Sequence, residues 1–281
     1  MNKLCVILEM IKFEHTIFAL PFAFLGAFLA ARGFPGWLVS LWIILAMVGA
    51  RSAAMAFNRL ADRVYDGLNP RTAHRALPRG LLSSQFVVFF TLVSSALFIF
   101  ASWMLNDLAF RLSPIALSII FFYSYTKRFT SLSHLLLGLS LAIAPVGGWI
   151  AVRGEIDFAP FYVAAAVLFW VGGFDIIYAC QDYEFDRKFS LHSMPSKFGK
   201  KRALQISALF HVFMMILLMC AFFQFNLSPL SWIGLLLVAM GLIYEHSLVS
   251  AGQVNNAFFT VNGLISLILF SFVGLDLCLL V

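Results

Sequence analysis

Long apolar runs dominate this chain and leave it few folds to adopt. Nine of them lie near residues 14–31, 37–57, 84–105, 108–124, 132–151, 159–180, 205–224, 230–249 and 257–280. Each is close to the roughly 17–25 residues that carry a helix across a bilayer. No strand-like alternation of polar and apolar residues accompanies them. That removes the barrel, the other structure able to satisfy backbone polar groups in lipid. Composition agrees, with 62% of the 281 residues hydrophobic and 11% charged, against about 25% charged in soluble domains. The expectation is an all-α, polytopic membrane bundle of about nine transmembrane helices, one domain over residues 1–281. Glu9, Lys12, Glu14 and His15 interrupt the early apolar stretch, and the first run therefore reads as part of the fold and not as a cleaved leader.

The net charge of +6 raises the question of nucleic acid, and its distribution answers it. Nine spans with a cytoplasmic N-terminus place 58–83, 125–131, 181–204 and 250–256 in the cytoplasm. All but four of the 19 Lys and Arg residues (Arg32, Arg51, Arg111 and Arg153) then fall on that side. This is the positive-inside pattern, and the expectation is an inner (cytoplasmic) membrane protein with the C-terminus outside, both acidic clusters on the cytoplasmic side and no nucleic-acid role. The four cysteines, Cys5, Cys180, Cys220 and Cys278, have neither disulfide nor zinc spacing and read as small apolar residues.

Two acidic clusters stand out against this background. One is Asn58-xxx-Asp62-xxx-Asp66, the other Asp182-xxx-Asp186 with Tyr178 at the same spacing before it. Residues four apart share a helix face, so each cluster aims two carboxylates in one direction. Asn58 to Asp66 covers roughly 12 Å of helix, enough to engage both phosphates of a diphosphate. Carboxylates are hard ligands suited to Mg²⁺, which takes one or two from protein and fills its shell with phosphate and water. Arg71 and Arg75 follow the first cluster, Arg63 lies within it, and Lys127 and Arg128 end the fourth run. Arg suits bidentate binding of phosphate. Arg79, Lys200, Lys201 and Arg202 read as topology markers. Two further charges lie inside spans, Arg51 seven residues before Asn58 and Asp175 seven before Asp182. Seven residues is two turns, which puts each on its motif's face about 10 Å deeper. Intramembrane charges usually pair or serve a pathway, and these two are expected near an acceptor, Arg51 on a carboxylate and Asp175 on a hydroxyl. Glu245 and His246 read as boundary residues, and Asp107 and Asp276 as solvated ones.

The segments "NRLADRVYDGLNPRTAHRALPRG" (58–80) and "YACQDYEFDRKFSLHSMPSKFG" (178–199) resemble the two signature regions of the UbiA superfamily of intramembrane aromatic prenyltransferases. "KFEHTIFALPF" and "YSYTKR" resemble it too, and the likeness spans nearly the whole chain. Within the superfamily the second region looks most like the 4-hydroxybenzoate polyprenyltransferase branch, including its relatives of futalosine-route menaquinone synthesis. The resemblance implies a reaction. Mg²⁺ held by Asn58, Asp62, Asp66, Asp182 and Asp186 grips a polyprenyl diphosphate, the allylic C–O bond ionises, and a ring carbon of an aromatic acid captures the cation. By the same likeness Lys12 and Glu14 match a basic–acidic pair of the family. Arg59 departs from the pattern, since many members carry an aspartate there. CDP-alcohol phosphotransferases hold their aspartates in one continuous motif, unlike the split seen here. A polyprenyl-phosphate transporter would place its charges near the midplane, whereas here they gather at one boundary.

Overall fold

The structure is a computed structural model that describes residues 3–12, 14–254 and 260–279, and of residues 14–18 the backbone only. The side chains of Glu14 and His15 therefore lie outside the described residues. The helices are α1 Lys3–Met10, α2 Glu14–Ala31, α3 Trp37–Leu68, α4 Ser84–Leu105, α5 Asp107–Thr126, α6 Ser133–Arg153, α7 Ala159–Ala179, α8 Tyr183–Lys188, α9 Met194–Phe198, α10 Lys200–Phe225, α11 Pro229–Ser250 and α12 Asn262–Leu279. No strand occurs among the described residues. Eight helices are long and apolar enough to cross a membrane, and the described part of α2, Ala19–Ala31, is a shorter apolar helix. The expected first span thus falls short of that length only within its described residues. This is a multi-pass integral membrane protein.

Helix ends follow local chemistry. The Ser83 hydroxyl accepts from the Phe86 N–H at 3.2 Å and so caps α4. Asn106 caps α5 by accepting from the Ala109 N–H at 2.9 Å, and its amide donates to the Ile150 carbonyl at 2.8 Å, pinning this corner to α6. Ser193 and Ser196 form a reciprocal cap at the start of α9.

Packing then gathers the helices around α7, which lies against α6 and α10. α3 packs on α4, α2 on α6, and α12 on both α11 and α2. The main core joins Phe22 and Leu25 of α2, Trp170 of α7, Met214 and Leu218 of α10, and Ile265 and Leu269 of α12. Small residues let α2 and α6 touch backbone to backbone, as membrane helices often do. A Cβ on Gly26 would collide with the Pro145 carbonyl, and one on Gly148 with the Ala23 carbonyl. At 32 residues α3 is long for a span. Its length of roughly 48 Å exceeds the roughly 30 Å hydrocarbon layer, so its acidic end projects beyond the apolar zone.

Two expectations about acids fail here. Glu245 is fully buried rather than at a boundary; it accepts from Asn262 Nδ2 at 2.7 Å and has His211 Nδ1 at 3.8 Å. Asp276 is buried rather than solvated, because it accepts from the Ser228 N–H at 2.9 Å and from the Ser231 hydroxyl. In both cases a neighbouring helix supplies the donors. Asp107 is exposed as expected and pairs with Arg111 at 2.7 Å.

Candidate active site

Two adjoining cavities open between α2, α3, α5, α6 and α7. The polar one, about 340 Å³, is lined by Lys12, Asn58, Asp62, Asp66, Arg71, Arg75, Lys127, Arg128, Asp175, Tyr178, Asp182 and Asp186. The apolar one, about 310 Å³, is lined by residues such as Phe22, Ile43, Met47, Leu112, Ile119 and Ile150. Arg51, Asn58 and Tyr123 line both, which places them at the junction.

The first acidic cluster sits on an unbroken helix as expected. Asn58 Nδ2 donates to Asp62 Oδ2 at 3.0 Å, so the two share one face. The second does not. α7 stops at Ala179, a 3-10 turn runs from Cys180 to Asp182, and α8 begins at Tyr183. The tighter turn falls between Tyr178 and Asp182, while Asp182 is the N-cap residue of α8 and Asp186 lies within it, and both line the polar cavity.

Each carboxylate meets a cation, and the partners are mostly remote in sequence. Arg71 grips Asp182 with two bonds, Nε to Oδ1 at 2.9 Å and Nη2 to Oδ2 at 2.5 Å, and its Nη1 donates to the Tyr178 hydroxyl at 2.8 Å. Asn69 Nδ2 adds a bond to Asp182 Oδ1 at 2.9 Å. Burial opposes the Arg71 charge, but the adjacent Asp182 more than offsets it, and the guanidinium ionises above its ordinary value. Arg75 Nη1 donates to Asp66 Oδ1 at 2.6 Å. Lys127 Nζ lies 2.8 Å from Asp186 Oδ1. Arg128 donates to the Ala61 carbonyl at 2.5 Å, stacks against Tyr125 and Tyr65, and stays 3.7 Å from Asp62.

Other expected residues divide. Asp175 lines the cavity and its Oδ2 lies 2.6 Å from His134 Nδ1. Arg51 lines it too, with Nε buried and without a hydrogen-bond partner. Arg63 is not brought in: it is exposed and donates to the Ser84 hydroxyl at 3.3 Å. One residue after Asp62 is a rotation of about 100° on a helix, which turns it away from the cavity. Arg59 is buried and donates from Nε to the Met10 carbonyl at 3.3 Å, so it joins α3 to α1. Asn69, Tyr123 and His134 are cavity residues that the sequence reading passed over. Asn69 is marked by its place shortly after the first cluster and Tyr123 by opening the YSYTKR segment; nothing local marks His134.

A metal fits these residues as an open site and not as a closed cage. Among the described residues no three His, Cys, Asp or Glu side chains lie close enough together to hold an ion. Asp66 Oδ2, however, is buried without a hydrogen-bond partner. An unsatisfied buried carboxylate oxygen is the kind of ligand a hard cation takes. Mg²⁺ needs only one or two such oxygens when phosphate completes its shell.

The sequence pattern of the UbiA prenyltransferase family matches residues 19–277. A 4-hydroxybenzoate octaprenyltransferase of Vesicomyosocius okutanii subsp. Calyptogena okutanii is 33% identical over 230 residues, 80% of this chain and 82% of that protein. The enzyme of the same description from Saccharophagus degradans is 32% identical over 246 residues, 86% and 81% of the two chains. The apo structure of a UbiA homolog from Aeropyrum pernix K1 superposes with a TM-score of 0.88 at 34% identity, covering 94% of this chain and 98% of that one. A UbiA homolog from Archaeoglobus fulgidus bound to GPP and Mg²⁺ gives 0.77 at 23% identity over 97% and 99%, a likeness of fold. The chain belongs to the UbiA prenyltransferase family. It is a membrane prenyltransferase of the 4-hydroxybenzoate polyprenyltransferase-like kind.

Proposed function

We propose that the chain transfers a polyprenyl group from polyprenyl diphosphate to a ring carbon of a 4-hydroxybenzoate-type aromatic acid in quinone biosynthesis. The reaction takes place at the cytoplasmic face of the inner membrane, with residues 1–281 acting as one domain. The observation that carries this reading is the junction of a charged cavity with an apolar one at Arg51, Asn58 and Tyr123. A prenyl diphosphate has the same two ends.

The diphosphate occupies the charged cavity. Arg71, Arg75, Lys127 and Arg128 bind its oxygens, the arginines in pairs of bonds. Asn58, Asp62, Asp66, Asp182 and Asp186 would hold Mg²⁺, which when bound supplies positive charge to the departing diphosphate. As the allylic C–O bond breaks, negative charge grows on the leaving group, and the fixed cations stabilise it more than they stabilise the intact donor. The apolar cavity takes the first isoprene units and keeps water from the allylic cation. Arg51 receives the carboxylate of the acceptor and Asp175 its hydroxyl, which presents the ring carbon to that cation; once the C–C bond has formed, a base takes the proton from the same ring carbon and the ring regains its aromaticity.

The test uses membranes containing the chain, Mg²⁺ and a polyprenyl diphosphate, with 4-hydroxybenzoate and 1,4-dihydroxy-6-naphthoate offered in parallel and products read by mass. Prenylated benzoate supports the proposal. Product with the naphthoate alone moves the reading to the menaquinone-route acceptor. No product with either, while Asp62→Ala binds donor as well as the unaltered chain does, refutes the metal–diphosphate reading itself.

A further inference from the structure

His134 is the second residue of α6 and only 2% exposed. Both of its ring nitrogens are engaged. Nε2 accepts from the Met194 N–H at 3.1 Å, and Nδ1 lies 2.6 Å from Asp175 Oδ2. A backbone N–H can only donate, so Nε2 carries the lone pair and the ring proton sits on Nδ1. The imidazole therefore donates to Asp175. Asp175 Oδ1 has no protein partner among the described residues, and the carboxylate faces the polar cavity.

The far side of the ring is held by the segment that anchors the second acidic cluster. Met194 opens α9, four residues after Ser190 at φ +53. The Leu191 N–H donates to the Asp186 carbonyl at 2.8 Å, and the His192 N–H to the Lys127 carbonyl at 2.7 Å. The backbone that ties Lys127 and Asp186 together thus also selects the tautomer of His134, and that tautomer fixes the free oxygen of Asp175.

We infer that His134 is a positioning residue for Asp175, holding its Oδ1 to accept the hydroxyl hydrogen of a phenolic acceptor. This rests on the prenyl-transfer reading above. A phenol whose hydroxyl donates to a carboxylate is more electron-rich at the ring carbon beside it, the carbon that attacks the allylic cation. His134 thereby selects acceptors with a hydroxyl next to the alkylated position.

Two substitutions separate the two ring nitrogens. His134→Gln reaches the place of Nε2, keeps a partner for Met194 and loses the donor to Asp175. His134→Asn places an amide nitrogen near Nδ1, keeps that donor and loses the Met194 bond. Rates are measured with purified protein, Mg²⁺, polyprenyl diphosphate and 4-hydroxybenzoate, each substrate varied in turn, beside thermal unfolding. The Gln variant is expected to raise the acceptor KM about tenfold or more, the scale of one hydrogen bond to a charged group. Its donor KM stays unchanged, and the Asn variant stays within about threefold of the unaltered chain. Equal shifts for both variants, or a donor KM that rises with the acceptor KM, overturn the inference. If the Gln variant does not fold, the Asn variant decides, since a tenfold acceptor loss there also overturns it. An unaltered chain that prenylates no hydroxylated aromatic acid overturns instead the reading beneath it.

Discussion

Replacing Arg51 by Gln separates affinity for the acceptor from stability of the fold. Arg51 lies on α3 two turns before Asn58, half-buried, at the junction of the two cavities. Its Nε is buried without a hydrogen-bond partner, and among the described residues no carboxylate pairs with it. An unpaired cation inside a span marks a functional position by default. If Arg51 receives the carboxylate of the acceptor, the neutral amide loses a charge-assisted bond of about 1.5–3 kcal/mol. At about 1.4 kcal/mol per decade, the acceptor KM rises about 10- to 150-fold. The donor KM should move by less than about threefold, because Arg71, Arg75, Lys127 and Arg128 remain in place. Stability should not fall. A fully buried ion costs the fold several kcal/mol, a smaller penalty here because part of the residue faces the cavities, and Gln removes it. The assay is initial-rate kinetics with each substrate varied, beside thermal unfolding in detergent. Equal rises in both KM values, or a lower Tm without a selective acceptor effect, would refute the reasoning.

Three more changes probe neighbouring parts of the site. Lys127→Met leaves Asp186, fully buried, without its cation, and should lower stability by about 2 kcal/mol, below the 3–5 kcal/mol of a fully buried pair because Lys127 is partly solvated. Adding Asp186→Asn should recover most of that loss, and an unchanged Tm in the single variant would count against the pair. Asp66→Asn should raise the Mg²⁺ concentration for half-maximal activity about tenfold or more, with chelation abolishing turnover in the unaltered chain; an identical Mg²⁺ dependence would remove Asp66 from the metal site. Gly148→Ala should destabilise by about 1–3 kcal/mol, since the new methyl meets the Ala23 carbonyl; an unaltered Tm would show that α2 and α6 part without strain.

Local periodicity alone made much of this protein legible. Apolar runs of spanning length must become helices, because lipid offers the backbone no other partners. The four-residue spacing of Asn58 and Asp62 must put them on one face, and the bond between them follows. Arg51 and Asp175, two turns from their motifs, reach the same cavity for the same reason. The 3-10 turn of Cys180–Asp182 changes the winding just ahead of the second cluster, yet Asp182 and Asp186 still face one cavity. The same spacing turns Arg63, one residue past Asp62, off that face, and it lies outside the cavity against Ser84.

What the tertiary structure decided is who meets whom. Arg71 lies close in sequence to Asp66 but pairs with Asp182, 111 residues away. His134 has no charged neighbour in its own helix turn and becomes the partner of Asp175 only because α6 packs on α7. Glu245 and Asp276 look like surface acids until Asn262 and Ser231, each on another helix, supply their donors. Helical spacing fixes the direction in which a side chain leaves its own axis. The partner waiting there depends on which helices pack together, and at α2 and α6 that packing turns on small residues whose role appears only once the two backbones are in contact.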